Sequence, residues 1–205
     1  KKLKLSKNEP VAFKLKNETV IVAEKFLKSF GLNRDDKFVT LHFREEGYMD
    51  HLQHGWRNSK VNNHVDAVKV LLKQGIKVIR IGHPKMSRMP EMNGLIDLTL
   101  LKRPPEVDIF LCAACMFFYG SPSGPCDLAY EFGVPILFSG VFPYAHVRPN
   151  SLNQITPLKD TTTNKILSLK EIFDKDLSNV FSPIPYHRKK IEICEISAEE
   201  NTKAV

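Results

Sequence analysis

The chain has 205 residues, and 42% hydrophobic content is enough for one ordinary domain with a real core; the net charge of +7 fits small anionic ligands, nucleic acid or an anionic membrane face without choosing among them. No apolar run is long enough to span a bilayer, and the basic opening KKLKLSKNEP has no hydrophobic segment after it, so neither a signal peptide nor an anchor is expected. Four cysteines at this length exclude a disulfide scaffold and make a reduced, cytoplasmic protein the default.

Taken in order, residues 1–36 read as a basic segment followed by an amphipathic helix, Glu18 to Leu32, closed at Gly31. Residues 37–205 read as the main domain. FVTLHF (Phe38 to Phe43) is apolar on both faces, the pattern of a central parallel strand, and Arg44 closes it, placing a guanidinium at a strand's carboxyl end. A long polar stretch follows with Glu45, Glu46, His51, His54, Trp56, Arg57 and, at its end, His64; its length points to function or disorder, and its aromatic content to order. A helix from His64 to Gly75, the strand Lys77 to Gly82, a short strand around Leu95 to Leu100 and a helix from about Pro105 come next.

The stretch Phe117 to Phe138 is the most informative: a buried strand (MFFY), a Gly-Ser-Pro-Ser-Gly-Pro turn, the short helix CDLAYEF, a Gly-Val-Pro breaker and the strand ILF. A helix that starts after such a turn offers N–H groups and a positive dipole end to an anion, with phosphate the obvious candidate. Ser121 and Ser123 would add hydroxyls, and Gly120 and Gly124 would let the backbone approach the ligand; equally, Ser123 simply caps a structural helix. The order β-α-β-β-α-β-α-β implies an α/β, Rossmann-like, doubly wound parallel sheet. If the strands run parallel, Arg44, Gly82-His83-Pro84 and the Ser-Gly turn leave the sheet at one edge.

Beyond Phe138 the pattern loosens into an irregular extension with a short helix at LSLKEIFDK and a capping box, Ser197 with Glu200, that opens a helix cut off near Val205. That ending, and a start at Lys1 instead of Met, suggest a piece of a longer protein. The basic runs KKLKLSK and His187 to Lys190 read as solvated faces without interleaved aromatics, so no nucleic-acid platform is expected, while peripheral contact with an anionic inner membrane stays open. Cys112-Ala-Ala-Cys115 has redox spacing but falls late in an apolar helix, and Cys126 and Cys194 are isolated, so neither thiol exchange nor zinc is expected.

Three blocks, FVTLHFREEGY, KVIRIGHP and FLCAACMFFYGSPSGPCDLAYEFGVPILF, together resemble bacterial glycosyltransferases of the GT-B type from surface-polysaccharide and lipopolysaccharide genes. More loosely, Ser123-Gly124-Pro125 with Gly133-Val134-Pro135 resembles the donor site of heptosyltransferases, and His42-Phe43-Arg44 a strand end of fucosyltransferases. The resemblance covers residues 37 to the C-terminus and implies the donor-binding half of a GT-B fold. It implies transfer from a nucleoside-diphosphate sugar to a glycan or lipid-linked acceptor, with an N-terminal acceptor domain elsewhere. It implies Arg44 as the catalytic residue on the donor diphosphate, Gly120, Ser121, Ser123 and Gly124 as its cradle, and Gly82 and His83 near the base or ribose. Asp127 is either a ribose ligand or a carboxylate favoured by the helix dipole. A guanidinium with oriented N–H groups serves the leaving diphosphate without a metal, and no Asp-x-Asp motif appears, so no cofactor is expected.

His42 reads as a core histidine or a base, Arg57 as a phosphate ligand or a side chain lying over Trp56, Glu45 and Glu46 as loop polarity or a general base, and Arg80 as structurally paired. The alternative functions are a non-catalytic nucleotide-binding module on the same fold and a basic interaction domain for anionic lipid or nucleic acid.

Overall fold

The computed structural model describes residues 13–33, 35–45, 55, 57–149 and 151–205. Along the chain run α1 (Asn17–Lys28), β1 (Phe38–His42), α2 (Asn62–Lys73), β2 (Lys77–Arg80), β3 (Leu95–Asp97), α3 (Pro105–Ala114), β4 (Phe118–Gly120), α4 (Gly124–Glu131), β5 (Ile136–Val141) and β6 (Ser151–Ile155). The six strands form one parallel sheet in the order β3-β2-β1-β4-β5-β6. The chain works outward from β1 to β3, then returns to the other side of β1 with β4. That is the doubly wound, Rossmann-like arrangement, with its reversal between β1 and β4.

Each central strand feeds two cores by simple alternation. Phe38, Ile79, Phe118 and Ile136 point to the face covered by α1, α3 and α4, where they meet Ala23, Leu27, Val107, Leu111 and Ala129. Their neighbours Val39, Val78, Tyr119 and Leu137 point to the other face, against Ala67, Val68 and Leu71 of α2. A strand buried on both sides must be apolar throughout, which is why FVTLHF reads as it does. Both early helices end at glycines with left-handed φ, Gly31 (+78°) and Gly75 (+76°), where the sequence places their stops. Helix α1 belongs to the same core as Phe38, so residues 17–28 are integral to the sheet domain.

The expected irregular extension is a structured unit. It contains β7 (Leu158–Asp160), β8 (Lys165–Ile166), α5 (Leu169–Asp174), α6 (Ile184–Arg188) and β9 (Ile191–Ile193), with an antiparallel sheet β8-β7-β9. A third core holds it together, built on Phe142, Tyr144, Leu158, Ile172, Leu177 and Tyr186. Helix α7 (Ala198–Ala204) starts at the expected Ser197–Glu200 capping box and returns to α2, where the Asn201 amide donates to the Asn63 carbonyl (2.9 Å) and accepts from Ser139 Oγ (2.7 Å). Among the described residues no helix is long and apolar enough to cross a membrane.

Candidate functional site

A cleft of about 400 Å³ opens at the carboxyl ends of β1, β2 and β4, where the strand order reverses. Open α/β sheets bind ligands at this position, because the diverging loops leave a crevice there. Five of the residues expected at the site line it: Arg44, Gly82, His83, Ser123 and Gly124. His42 and Glu45, for which the sequence leaves two readings each, line it as well; Ile81, Met86, Cys112 and Leu128 supply its apolar wall.

Gly120 and Ser121 do not line the cleft; they hold its frame. A Cβ on Gly120 would stand 1.6 Å from the His42 carbonyl oxygen, so the glycine permits close approach of β4 to β1, not of backbone to ligand. Ser121 N–H donates to that same carbonyl (3.1 Å), and the buried Ser121 hydroxyl accepts from the Arg44 N–H (2.9 Å). The end of β1, and with it the start of the Arg44 side chain, is therefore fixed from β4.

Ser123 precedes α4, and its hydroxyl donates to the Ser121 carbonyl (3.1 Å) and lies 3.3 Å from His42 Nδ1. The cap itself is closed by Cys126, whose sulfur accepts from the Ser123 N–H (3.2 Å) and donates to the Ser123 carbonyl (2.9 Å). That assigns Cys126 a structural part. Pro125 has no N–H, and those of Cys126 and Asp127 turn back to the Ser123 carbonyl (3.1 and 3.3 Å). The turn thus offers a ligand the Gly124 N–H and the helix dipole, fewer donors than the sequence suggests. Apart from its chain neighbours and its own helix backbone, nothing lies within 4 Å of where a Gly124 Cβ would sit. Asp127 is outside the cleft lining, with its carboxylate on Arg148 (3.1 Å).

Arg103, which the sequence reading passes over, is a fixed cation of the cleft wall. Its guanidinium donates to both Asp108 carboxylate oxygens (2.6 and 3.1 Å) and to the carbonyls of Leu98 (2.5 Å), Leu101 (3.1 Å) and Gly82 (3.2 Å). A basic residue just ahead of Pro104-Pro105 at a helix entry was the available signal, but its role depends on carbonyls that no sequence pattern marks. Gly82 serves the same wall: a Cβ there would meet Met86 Sδ at 2.5 Å.

Behind the cleft lies a hydrogen-bonded polar layer. Arg80, fully buried, pairs with Glu45 and Asp97 (3.1 Å), donates to the Ser87 carbonyl (2.5 Å) and stands 4.5 Å over the Phe43 ring. This is the structural pairing expected of it. Glu45 also accepts from the Ser87 N–H (2.9 Å), which commits its carboxylate to tying β1 to the β2–β3 loop. His64 is buried on α2, stacked on Phe43 at 4.0 Å, with Nδ1 2.9 Å from the Tyr119 hydroxyl and Nε2 2.8 Å from Ser59 Oγ.

Burial and the guanidinium groups of Arg80, Arg44 and Arg103 push His42 down to about 4; burial and Arg80 push His64 down to about 3. Both imidazoles are neutral near pH 7, and His42 is a hydrogen-bonding partner for Ser123 in a cationic field. Arg57 is close enough to Arg44 for that charge, after burial, to lower its own pKa. Burial raises Cys115 to about 11 and Cys126 to about 12 and pushes Cys112 up further, so none of the three is a thiolate near neutrality. Glu46, His51, His54 and Trp56 lie outside the described residues.

No family model and no curated protein matches the chain. Among solved structures it is similar to the glycosyl transferase family 9 protein from Veillonella parvula DSM 2008, at a TM-score of 0.56 and 16% identity over 93% of this chain and 51% of that one. It also aligns with the ADP-heptose lps heptosyltransferase II of E. coli, at a TM-score of 0.48 and 13% identity over 70% of this chain and 44% of that one. The chain spans about half the length of these structures, and the first likeness establishes the fold as one that a glycosyl transferase uses.

Proposed function

We propose that this chain is the donor-binding half of a GT-B-type glycosyltransferase and takes a nucleoside-diphosphate sugar in the cleft at the β1/β4 reversal. One observation carries the reading: Arg44 at the end of β1 and the open Ser123-Gly124 turn of α4 face the same cleft. A diphosphate is the ligand that a guanidinium and a helix N-terminus, set on two sides of a crevice, complement best. Gly82, His83 and the apolar wall of Ile81, Met86 and Leu128 then receive the base and ribose.

In transfer, negative charge grows on the diphosphate as the sugar leaves. Arg44, the Gly124 N–H and the α4 dipole stabilise that charge, and being fixed beforehand they lose little to reorganisation. Arg103, already neutralised by Asp108, shapes the wall and contributes field more than contact. Gly120 and Ser121 act one step back, by positioning the Arg44 backbone. The acceptor is a glycan or lipid-linked sugar in surface-polysaccharide synthesis. A second, N-terminal domain completes the enzyme, which works in the cytoplasm or at the inner face of the membrane.

The test is a thermal-shift panel of GDP, UDP, ADP, CMP and dTDP. A ligand of the folded state alone stabilises it by about 2.7 kcal/mol at a hundredfold excess over Kd. The reading predicts a shift for at least one diphosphate and less for CMP; a folded protein that responds to none contradicts it.

A further inference from the structure

Glu45 stands between two clefts. Opposite the donor cleft, on the α2 side of the same sheet edge, a larger one of about 770 Å³ is lined by Asn58, Ser59, Asn62, Ser87, Arg88 and Glu195, with Glu45 as the wall common to both. Its lining differs in kind. The donor cleft has an apolar wall suited to a base; the second presents amides, hydroxyls and a guanidinium over a small apolar floor of Val61, Met89 and Pro90. Several of these groups are held in place. Glu195 accepts from the Asn63 amide (2.9 Å) and pairs with Lys60 (3.4 Å), Ser59 Oγ is 2.8 Å from buried His64, and the Ser87 N–H is held by Glu45 (2.9 Å).

We infer that this second cleft binds a hydroxyl-rich carbohydrate, and that it is an acceptor subsite contributed by this chain itself. The acceptor role rests on the donor-site reading given above. Closely spaced donors and acceptors match a polyol, whereas a nucleobase is better served by the more apolar lining of the donor cleft. Because Glu45 lines both clefts, a sugar held in the second lies next to the donor cleft.

Saturation-transfer NMR on the whole chain tests this with methyl glycosides of glucose, galactose, mannose and N-acetylglucosamine, and with glucuronate. Asn62→Leu and Arg88→Ala change exposed residues that the fold does not need, and each should weaken the response by about tenfold, the worth of one hydrogen bond to a charged or fixed polar group. Nucleotide-induced stabilisation, read on the same samples, should stay unchanged in both variants. No transfer from any sugar, or transfer untouched by both substitutions, overturns the site. Sugar binding retained in a protein that answers to no nucleotide overturns its acceptor role and the donor reading together, while nucleotide binding without sugar binding overturns this inference alone.

Discussion

Arg80 and Arg44 leave neighbouring strands at the same sheet edge and live in opposite surroundings. Arg80 is fully buried and meets two carboxylates, a carbonyl and an aromatic ring. Arg44 lines an open cleft beside a helix N-terminus. A buried guanidinium is tolerated when carboxylates pair with it, and Arg80 commits both of its terminal nitrogens to such scaffold partners. The contrast separates scaffold from site: the layer behind β1 keeps the strand end still, and the cleft in front presents charge.

The largest effect should come from breaking the scaffold side. Arg80→Met leaves Glu45 and Asp97 without their cation in a mostly buried setting and should cost about 3–5 kcal/mol in denaturant unfolding. A cost near zero would mean that the layer is not structural.

Acid should attack the same layer. His42 and His64 are held neutral with folded values of about 4 and about 3, against an ordinary value of 6.5. Below pH 6.5 the unfolded chain takes up protons that the folded chain refuses, so stability is complete above that pH and is lost as pH falls toward those folded values. Roughly 3–4 kcal/mol should disappear between about pH 6.5 and about pH 5. Denaturation midpoints that stay level across that window would show that the imidazoles are not excluded from protonation.

Gly120→Ala should be milder, about 2–3 kcal/mol, because β1 and β4 can separate slightly to accept a Cβ that otherwise stands 1.6 Å from the His42 carbonyl oxygen. It sharpens the comparison by moving Arg44 without touching it. Nucleotide affinity should fall along with stability, whereas a ligand-facing glycine would lose affinity alone.

Much of the fold was legible because strands buried on both faces and helices with one buried face write their period into the sequence. FVTLHF, KVIR and ILF are such strands, and Gly31 and Gly75 mark the helix ends. β6 escaped because it is a half-exposed edge strand of mixed polarity, Ser151–Ile155, and β7 to β9 because strands of two or three residues carry no period. That Arg44 and Ser123-Gly124 would line one cleft was readable from position alone, as charge and turn at strand ends. The readings of Gly120 and Ser121 went astray because a small residue beside a carbonyl and one beside a phosphate look the same in sequence. Arg103 was missed because its place is set by backbone carbonyls, those of Leu98 and Leu101 in the turn just before it and that of Gly82 across the cleft wall, which no side-chain pattern marks.

The most direct measurement is calorimetric titration of the best-stabilising nucleoside diphosphate into wild type and Arg44→Ala, with unfolding free energies taken in parallel. Arg44→Ala is expected to keep its stability within about 1 kcal/mol, since the side chain belongs to none of the three hydrophobic cores, yet to bind the nucleotide at least about tenfold more weakly. Equal affinity in the two proteins would contradict the donor-site reading, because the guanidinium at the end of β1 would then have no part in holding the diphosphate.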